Sequence, residues 1–299
     1  MKKLAPIFVL IAGILWGTMG LYVRSLNELQ FTTIEIVAVR SVMTALLMAV
    51  VLMVYNRRLL KVRVKDLWCF AGTGICSIIF FNYCYFKAIT MTSLSVAAVL
   101  LYTAPAIVMV LSAILFREKI TMIKMISLIA TVVGCIFVTG ILSDTSKLSP
   151  QGILVGLGAG LGYALYSIFS RFALQRGYGS LTITFYTFLF ACFGALPLAN
   201  VGMIVDACIK DISMFGFYIV FALVSTVIPY ILYTVGLSAM ENSKASIVAS
   251  VEPVAATIFG VLLFEENVTF HNFIGILLVL GAIVICNINW KTGGKNEKR

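Results

Sequence analysis

The sequence predicts an all-α membrane protein: ten transmembrane helices in two inverted five-helix repeats. Three observations lead there. The first is composition. Of 299 residues, 61% are hydrophobic and 11% charged, and the mean hydropathy is +1.07. A soluble domain of this length has too little interior for so much apolar side chain, so the solvent must be lipid. The second is run length. The apolar stretches are continuous and about 20 residues long, as a helix crossing a core of about 30 Å requires; barrel strands alternate over about ten residues instead. The third is a repeat. AAVLLYTAPAIVMVLSAILFREKIT (97–121) returns as ASIVASVEPVAATIFGVLLFEENVT (245–269).

Ten runs meet the length requirement: 4–24, 32–55, 67–88, 93–116, 122–141, 151–172, 180–200, 212–236, 243–264 and 270–290. The first has the basic start and apolar centre of a signal peptide. No clear small-x-small cleavage site follows it, and its removal would leave an odd number of spans, so it is read as a span. The second carries a charge, Arg40. The third offers Asn82 and Tyr85, with Tyr83 close by. The fourth sets Tyr102 and Thr103 beside Pro105. The fifth and tenth rest on apolar length alone. The sixth carries Gly152, Gly156 and Gly160 at intervals of four, like Gly13 and Gly17 in the first, a spacing that lets helices approach closely. Its GLGAGLG lies inside an apolar helix with no strand before it, so it is not a nucleotide loop. The same span aligns Tyr163, Tyr166, Ser167 and Ser170 on one face. The seventh contains Pro197, and the eighth Pro229 with Thr226, Tyr230 and Tyr233. The ninth holds Glu252 and Pro253.

The net charge of +10 is distributed by side rather than gathered into a nucleic-acid surface. With the N-terminus inside, 17 basic residues fall on the cytoplasmic side, from Lys2 and Lys3 through Arg57–Lys65, Arg117, Lys119, Lys124, Arg171, Arg176 and Lys244 to Lys291, Lys295, Lys298 and Arg299. Four fall outside: Arg24, Lys87, Lys147 and Lys210. The positive-inside rule then places both termini in the cytoplasm of a cell bounded by this membrane.

A shift of 148 residues superposes Tyr85 on Tyr233, Ser95 on Ser243, Ala97 on Ala245, Pro105 on Pro253, and Leu115, Phe116 and Glu118 on Leu263, Phe264 and Glu266. The chain therefore divides into a first repeat, 1–148, and a second, 149–299, with a short basic tail. Each holds five spans. Five is odd, so tandem copies sit upside down relative to one another. This explains why FREK became FEEN: the first loop falls inside and keeps its basic residues, while the second falls outside and carries Glu265 and Glu266. Inverted repeats are an architecture of secondary transporters.

The duplicated five-span halves, Trp16–Gly17 in the first span, Arg40 in the second, the Pro105 span ending in LFREKIT and its echo around Pro253 resemble the drug/metabolite transporter superfamily, EamA type. The resemblance covers nearly the whole chain. It implies a ten-span transporter, and many bacterial members of that superfamily are exporters. Its substrates range over amino acids, amines, sugars, nucleotide sugars and drugs, so the solute stays open. The second half departs from the first at Leu161, roughly opposite Trp16.

The expected site lies between the halves. Its candidate substrate-binding residues are Trp16, Arg40, Asn82, Tyr85, Tyr102, Tyr163, Tyr166, Tyr230 and Glu252, with Pro105 and Pro253 as structural hinges. Each proline removes a backbone donor and frees a carbonyl four residues earlier, at Leu101 and Ala249. At about 1.5 Å per residue, Arg40 lies about 12 Å from one surface and Glu252 about 14 Å from the other. A buried pair between them, direct or through water, is expected. Glu35 is expected at the solvated outer interface, and Lys87 to snorkel.

The expected function is secondary transport of a small metabolite, with an amino acid or amine and export favoured. It would proceed across the cytoplasmic membrane by alternating access, as the two halves rock about the site. Coupling would run to protons through Glu252, or be absent. An importer or exporter of a sugar, nucleotide or drug-like solute is the alternative. An intramembrane enzyme or structural membrane protein is more distant, since no HExxH, GxSxG or Ser-His pairing is present. No Walker A motif accompanies the spans. No cofactor or metal is expected: the seven cysteines form no CxxC, and His271 is the sole histidine. The expected partners are the small-molecule substrate and membrane lipid, with no nucleic acid.

Overall fold

The computed structural model describes residues 3–141, 149–264 and 269–288. Glu265, Glu266, Lys2, Lys147 and the basic tail from Lys291 lie outside the described residues. Among the described residues, nine helical segments are long and apolar enough to span: Ala5–Glu28, Thr33–Tyr55, Val64–Met91, Leu94–Phe116, Pro150–Gln175, Ser180–Leu198, Ser213–Ala239, Asn242–Phe264 and Phe270–Asn287. The fifth span, Met122–Val138, has 17 residues, or about 25 Å of helix at 1.5 Å per residue. The protein is a ten-span all-α membrane protein.

Among the described residues three spans are interrupted helices, the first only at Thr18, between Ala5–Gly17 and Met19–Glu28. The fourth is Leu94–Leu101 followed by Ala104–Phe116, and the ninth is Asn242–Ala249 followed by Glu252–Phe264. Pro105 and Pro253 are the second residues of the later half-helices. In a first turn the missing N–H has no intrahelical role to lose. The prolines therefore start new helices rather than kinking old ones. The turns close locally, Thr103 N–H donating to Leu100 O (3.2 Å) and Val251 N–H to Val248 O (3.2 Å).

Bare backbone in a membrane must be covered by protein, and the glycines provide the cover. A Cβ on Gly160 would sit 2.9 Å from Leu100 O and 2.6 Å from Thr103 Oγ1. One on Gly13 would sit 2.9 Å from Ala249 O, and one on Gly17 2.9 Å from Glu252 O. The sixth span thus seats the break in the fourth, and the first seats the break in the ninth. A second matched irregularity is a wide, π-helical turn in the third span (Gly72–Ile79) and in the eighth (Leu223–Val227).

Packing runs between repeats. The first span lies against the eighth and ninth, the sixth against the third and fourth, the second against the seventh, and the fifth against the tenth. Gly134 and Gly275 let the last pair touch backbone to backbone, a Cβ on Gly275 meeting Gly134 O at 2.6 Å. Around the two breaks, the packed units are therefore not the sequence repeats. One bundle holds spans three, four and six; the other holds spans eight, nine and one.

Glu35 departs from the solvated position expected of it. It is buried and accepts hydrogen bonds from Thr32 N–H (2.9 Å), Thr32 Oγ1 and Asn200 N–H (3.1 Å), capping its own helix and holding the end of the seventh span. Its carboxylate matches the positive end of a helix. The segment between the seventh and eighth spans is itself helical. It forms the helix Val201–Lys210, whose Met203, Ile204 and Ala207 pack on the core around Phe31 and Tyr218.

Gly160→Ala should lower stability by about 1–3 kcal/mol through overpacking, although alanine favours helix by about 1 kcal/mol. Gly20→Ala is the control, because no atom lies within 4 Å of its built Cβ; it should leave stability unchanged or raised. Thermal unfolding in detergent reads both.

Candidate functional site

Glu252 is the first residue of the later half-helix of the ninth span, at mid-span. The start of a helix favours a carboxylate. The Tyr163 hydroxyl of the sixth span donates to its Oε2 at 2.7 Å. This bond joins the two bundles at the centre of the membrane.

Around it, Glu252, Tyr163, Tyr102 and Tyr85 each keep part of their surface accessible despite their depth. A carboxylate and hydroxyls with open surface at that depth face a cleft between helices, since lipid would not solvate them. Tyr102 stands at the break of the fourth span, so the interrupted helix turns its ring inward; it packs with Cys135, Val251 and Val254. Tyr85 stacks on Phe81 (5.7 Å), whose ring meets Tyr163 edge-on (5.7 Å). Tyr85 and Tyr102 both lie within electrostatic reach of Glu252.

Behind this layer stands a packed aromatic wall. Trp16 meets Tyr230 edge-on at 5.1 Å, lies tilted on Tyr233 at 5.2 Å and touches Tyr163 at 6.4 Å. Tyr166 meets Tyr230 at 4.9 Å. The hydroxyls pair across the same seam, Ser167 with Tyr233 (2.6 Å) and Tyr166 with Thr234 (3.3 Å). Trp16, Tyr166 and Tyr230 are buried, so in this conformation they support the cavity wall rather than form its surface.

Arg40 is 2% exposed. Its charge interacts with Glu252 and Tyr230, but the two opposite charges make no ion pair within 4.0 Å. The direct form of the expected pair is not made. Glu252 has Tyr163 as its donor, while Arg40 places Nη1 against Met19 Sδ (3.2 Å). Nε and Nη2 of Arg40 and Nε1 of Trp16 are buried with no hydrogen-bond partner. A guanidinium with unused donors is costly to bury, and an incoming acceptor would relieve that cost.

Asn82 does not join the group. Its side-chain amide donates to Ile78 O (2.7 Å), and it lines a separate groove of about 570 Å³ with Thr33, Phe80 and Lys87. Participants the sequence did not single out include Phe81, Met19 and Thr234. An apolar side chain in an apolar run carries no signal.

The sequence profile of the EamA-like transporter family matches residues 3–140 and again 150–288. The chain belongs to this family. A transporter of Archaeoglobus fulgidus is 30% identical over 207 residues, 67% of this chain and 70% of its own. The threonine/homoserine exporter RhtA of Escherichia coli is 24% identical over 210 residues, 69% of this chain and 65% of its own. A protein of known crystal structure shares the fold at a TM-score of 0.78 and 15% identity, covering 96% of this chain and 97% of its own. In the transporter, the broken fourth and ninth spans bring the cavity residues together.

Arg40→Met tests whether the orphaned guanidinium serves the fold or the solute. Removing an unpaired buried charge should keep or raise the melting temperature. Solute flux should fall at least about tenfold, the scale of one lost charge-assisted hydrogen bond.

Proposed function

We propose that this protein is a secondary transporter exporting a small amino acid or amine across the cytoplasmic membrane, with both termini in the cytoplasm. The observation that carries the reading is the Glu252 carboxylate, held by Tyr163 across the seam in a mid-membrane cavity. A buried ionisable group in a membrane marks a solute or proton path. Glu252 is suited to an ammonium group; the unused donors of Arg40 and Trp16, buried in this conformation, would meet a carboxylate once the bundles part. An amino acid carries both. The similarity to a threonine/homoserine exporter supports the amino-acid class.

In this mechanism the solute enters between the bundles and takes the place of Tyr163 or water at Glu252. The bundles then rock, with the two half-helix breaks as hinges near Pro105 and Pro253. Because each bundle mixes spans of both repeats, the rocking bodies are these bundles, in place of the sequence halves. A proton on Glu252 in one orientation and a solute in the other would give exchange. The side bearing Arg117, Lys119 and Lys124 is cytoplasmic on the positive-inside rule.

Flux in proteoliposomes loaded with labelled amino acids and amines tests this reading, with and without a pH gradient. Wild type should move a solute of this class and Glu252→Gln should not. Equal flux in both proteins would remove Glu252 from the site. Movement only of sugars or nucleotides would overturn the solute class.

A further inference from the structure

On the basic side of the membrane, the seam between the bundles is closed by a helix cap supplied from the opposite bundle. The half-helix Asn242–Ala249 has no side-chain cap of its own, its N-cap residue Glu241 making no such bond. The corresponding half-helix of the fourth span, Leu94–Leu101, is capped by its own Ser93, which accepts from Val96 N–H (3.2 Å). For Asn242–Ala249, Glu118 takes that role. Its Oε1 accepts from Asn242 N–H (2.7 Å), and its Oε2 accepts from Ser243 N–H (3.2 Å) and Ser243 Oγ (2.6 Å). A carboxylate here satisfies orphan donors and meets the helix dipole.

Glu118 is aimed there by a backward turn. Arg117 ends the helix Ala104–Phe116 in the left-handed region (φ +56°), and Glu118 N–H returns to Ser112 O (3.2 Å). For a residue with a Cβ that conformation is strained, so surrounding contacts must hold it. Two further cations fasten the seam. Lys124, 2% exposed, lies 3.2 Å from Glu241 and 3.8 Å from Glu118, and donates to Lys119 O (2.8 Å). Arg171 of the sixth span donates from Nε to Asn242 Oδ1 (2.5 Å) and from Nη2 to Met240 O.

Both helices that meet at Glu118 carry cavity residues at their other ends. Ala104–Phe116 begins beside Tyr102, and Asn242–Ala249 ends beside Glu252. The fastening is polar and lies at the ends of the spans; Asn242 and Ser243 are fully buried while it is closed, and water replaces each bond only as the seam parts. We propose that Glu118, with Lys124 and Arg171, is the gate that closes the central cavity on the basic side. Release of the Ser243 cap is then the step that opens it. The inference rests on the transporter reading for its purpose, but on the cross-seam geometry for its evidence.

A cysteine at Tyr102→Cys reports access to the cavity. An impermeant thiol reagent is added on the basic side of oriented vesicles, and the labelled position is located by mass spectrometry. With Glu118 intact, labelling at 102 should be slow. Glu118→Gln keeps one acceptor oxygen but loses the charge and sets an amide N–H against part of the cap, and should speed it by about tenfold or more, the scale of lost charge-assisted bonds; Ser243→Ala should act in the same direction more weakly. Unchanged labelling in both variants, with melting temperatures near that of the parent, would overturn the gate. A fall in melting temperature without a change in labelling would reduce Glu118 to a structural cap and also overturn it. Labelling requires no solute. Faster labelling without amino-acid flux would keep the gate and remove the solute assignment, while flux without a labelling response would do the reverse.

Discussion

Lipid offers backbone no hydrogen-bonding partner, and that constraint governs this structure. A helix broken at mid-membrane survives only where neighbouring protein covers the exposed carbonyls. At each of the breaks in the fourth and ninth spans lies a glycine-bearing helix, with Gly160 against Leu100 O and Gly13 against Ala249 O. Those contacts fix which helices are neighbours. They draw the sixth span to the fourth and the first to the ninth, and so oblige the two repeats to interleave.

Interleaving in turn creates the cavity. Glu252 and Tyr102 stand at the breaks because broken helices can turn polar or bulky groups inward. Tyr163 and Trp16 stand opposite because the covering helices must be close. The seam between the bundles is held by hydroxyl pairs at the centre and by Glu118, Lys124 and Arg171 at one surface. Few of these bonds are strong in net terms, because water replaces them when they part. A seam of such bonds is compatible with two arrangements of rigid bundles.

Arg40 stands apart from this economy. A fully buried guanidinium with unused donors opposes folding, and among the described residues no carboxylate forms an ion pair with it. Glu252 lies within electrostatic reach of it without forming an ion pair.

Span number, membrane class and duplication were legible in the sequence because each is a property of composition or spacing. Apolar run length reports the hydrocarbon thickness, and the 148-residue shift is visible in Pro105 and Pro253. Glu252 and Arg40 could also be singled out, since any charge within an apolar run is conspicuous. Partnership was not legible. The sequence did not disclose that Tyr163 bonds Glu252, that Arg40 lies against Met19, that Asn82 turns to its own backbone, or that Glu35 is buried as a cap. Periodicity assigns a residue to a helix face but does not choose the helix opposite. That choice was made by close packing at the glycines, a contact between residues far apart in the chain, and only the tertiary structure decided it.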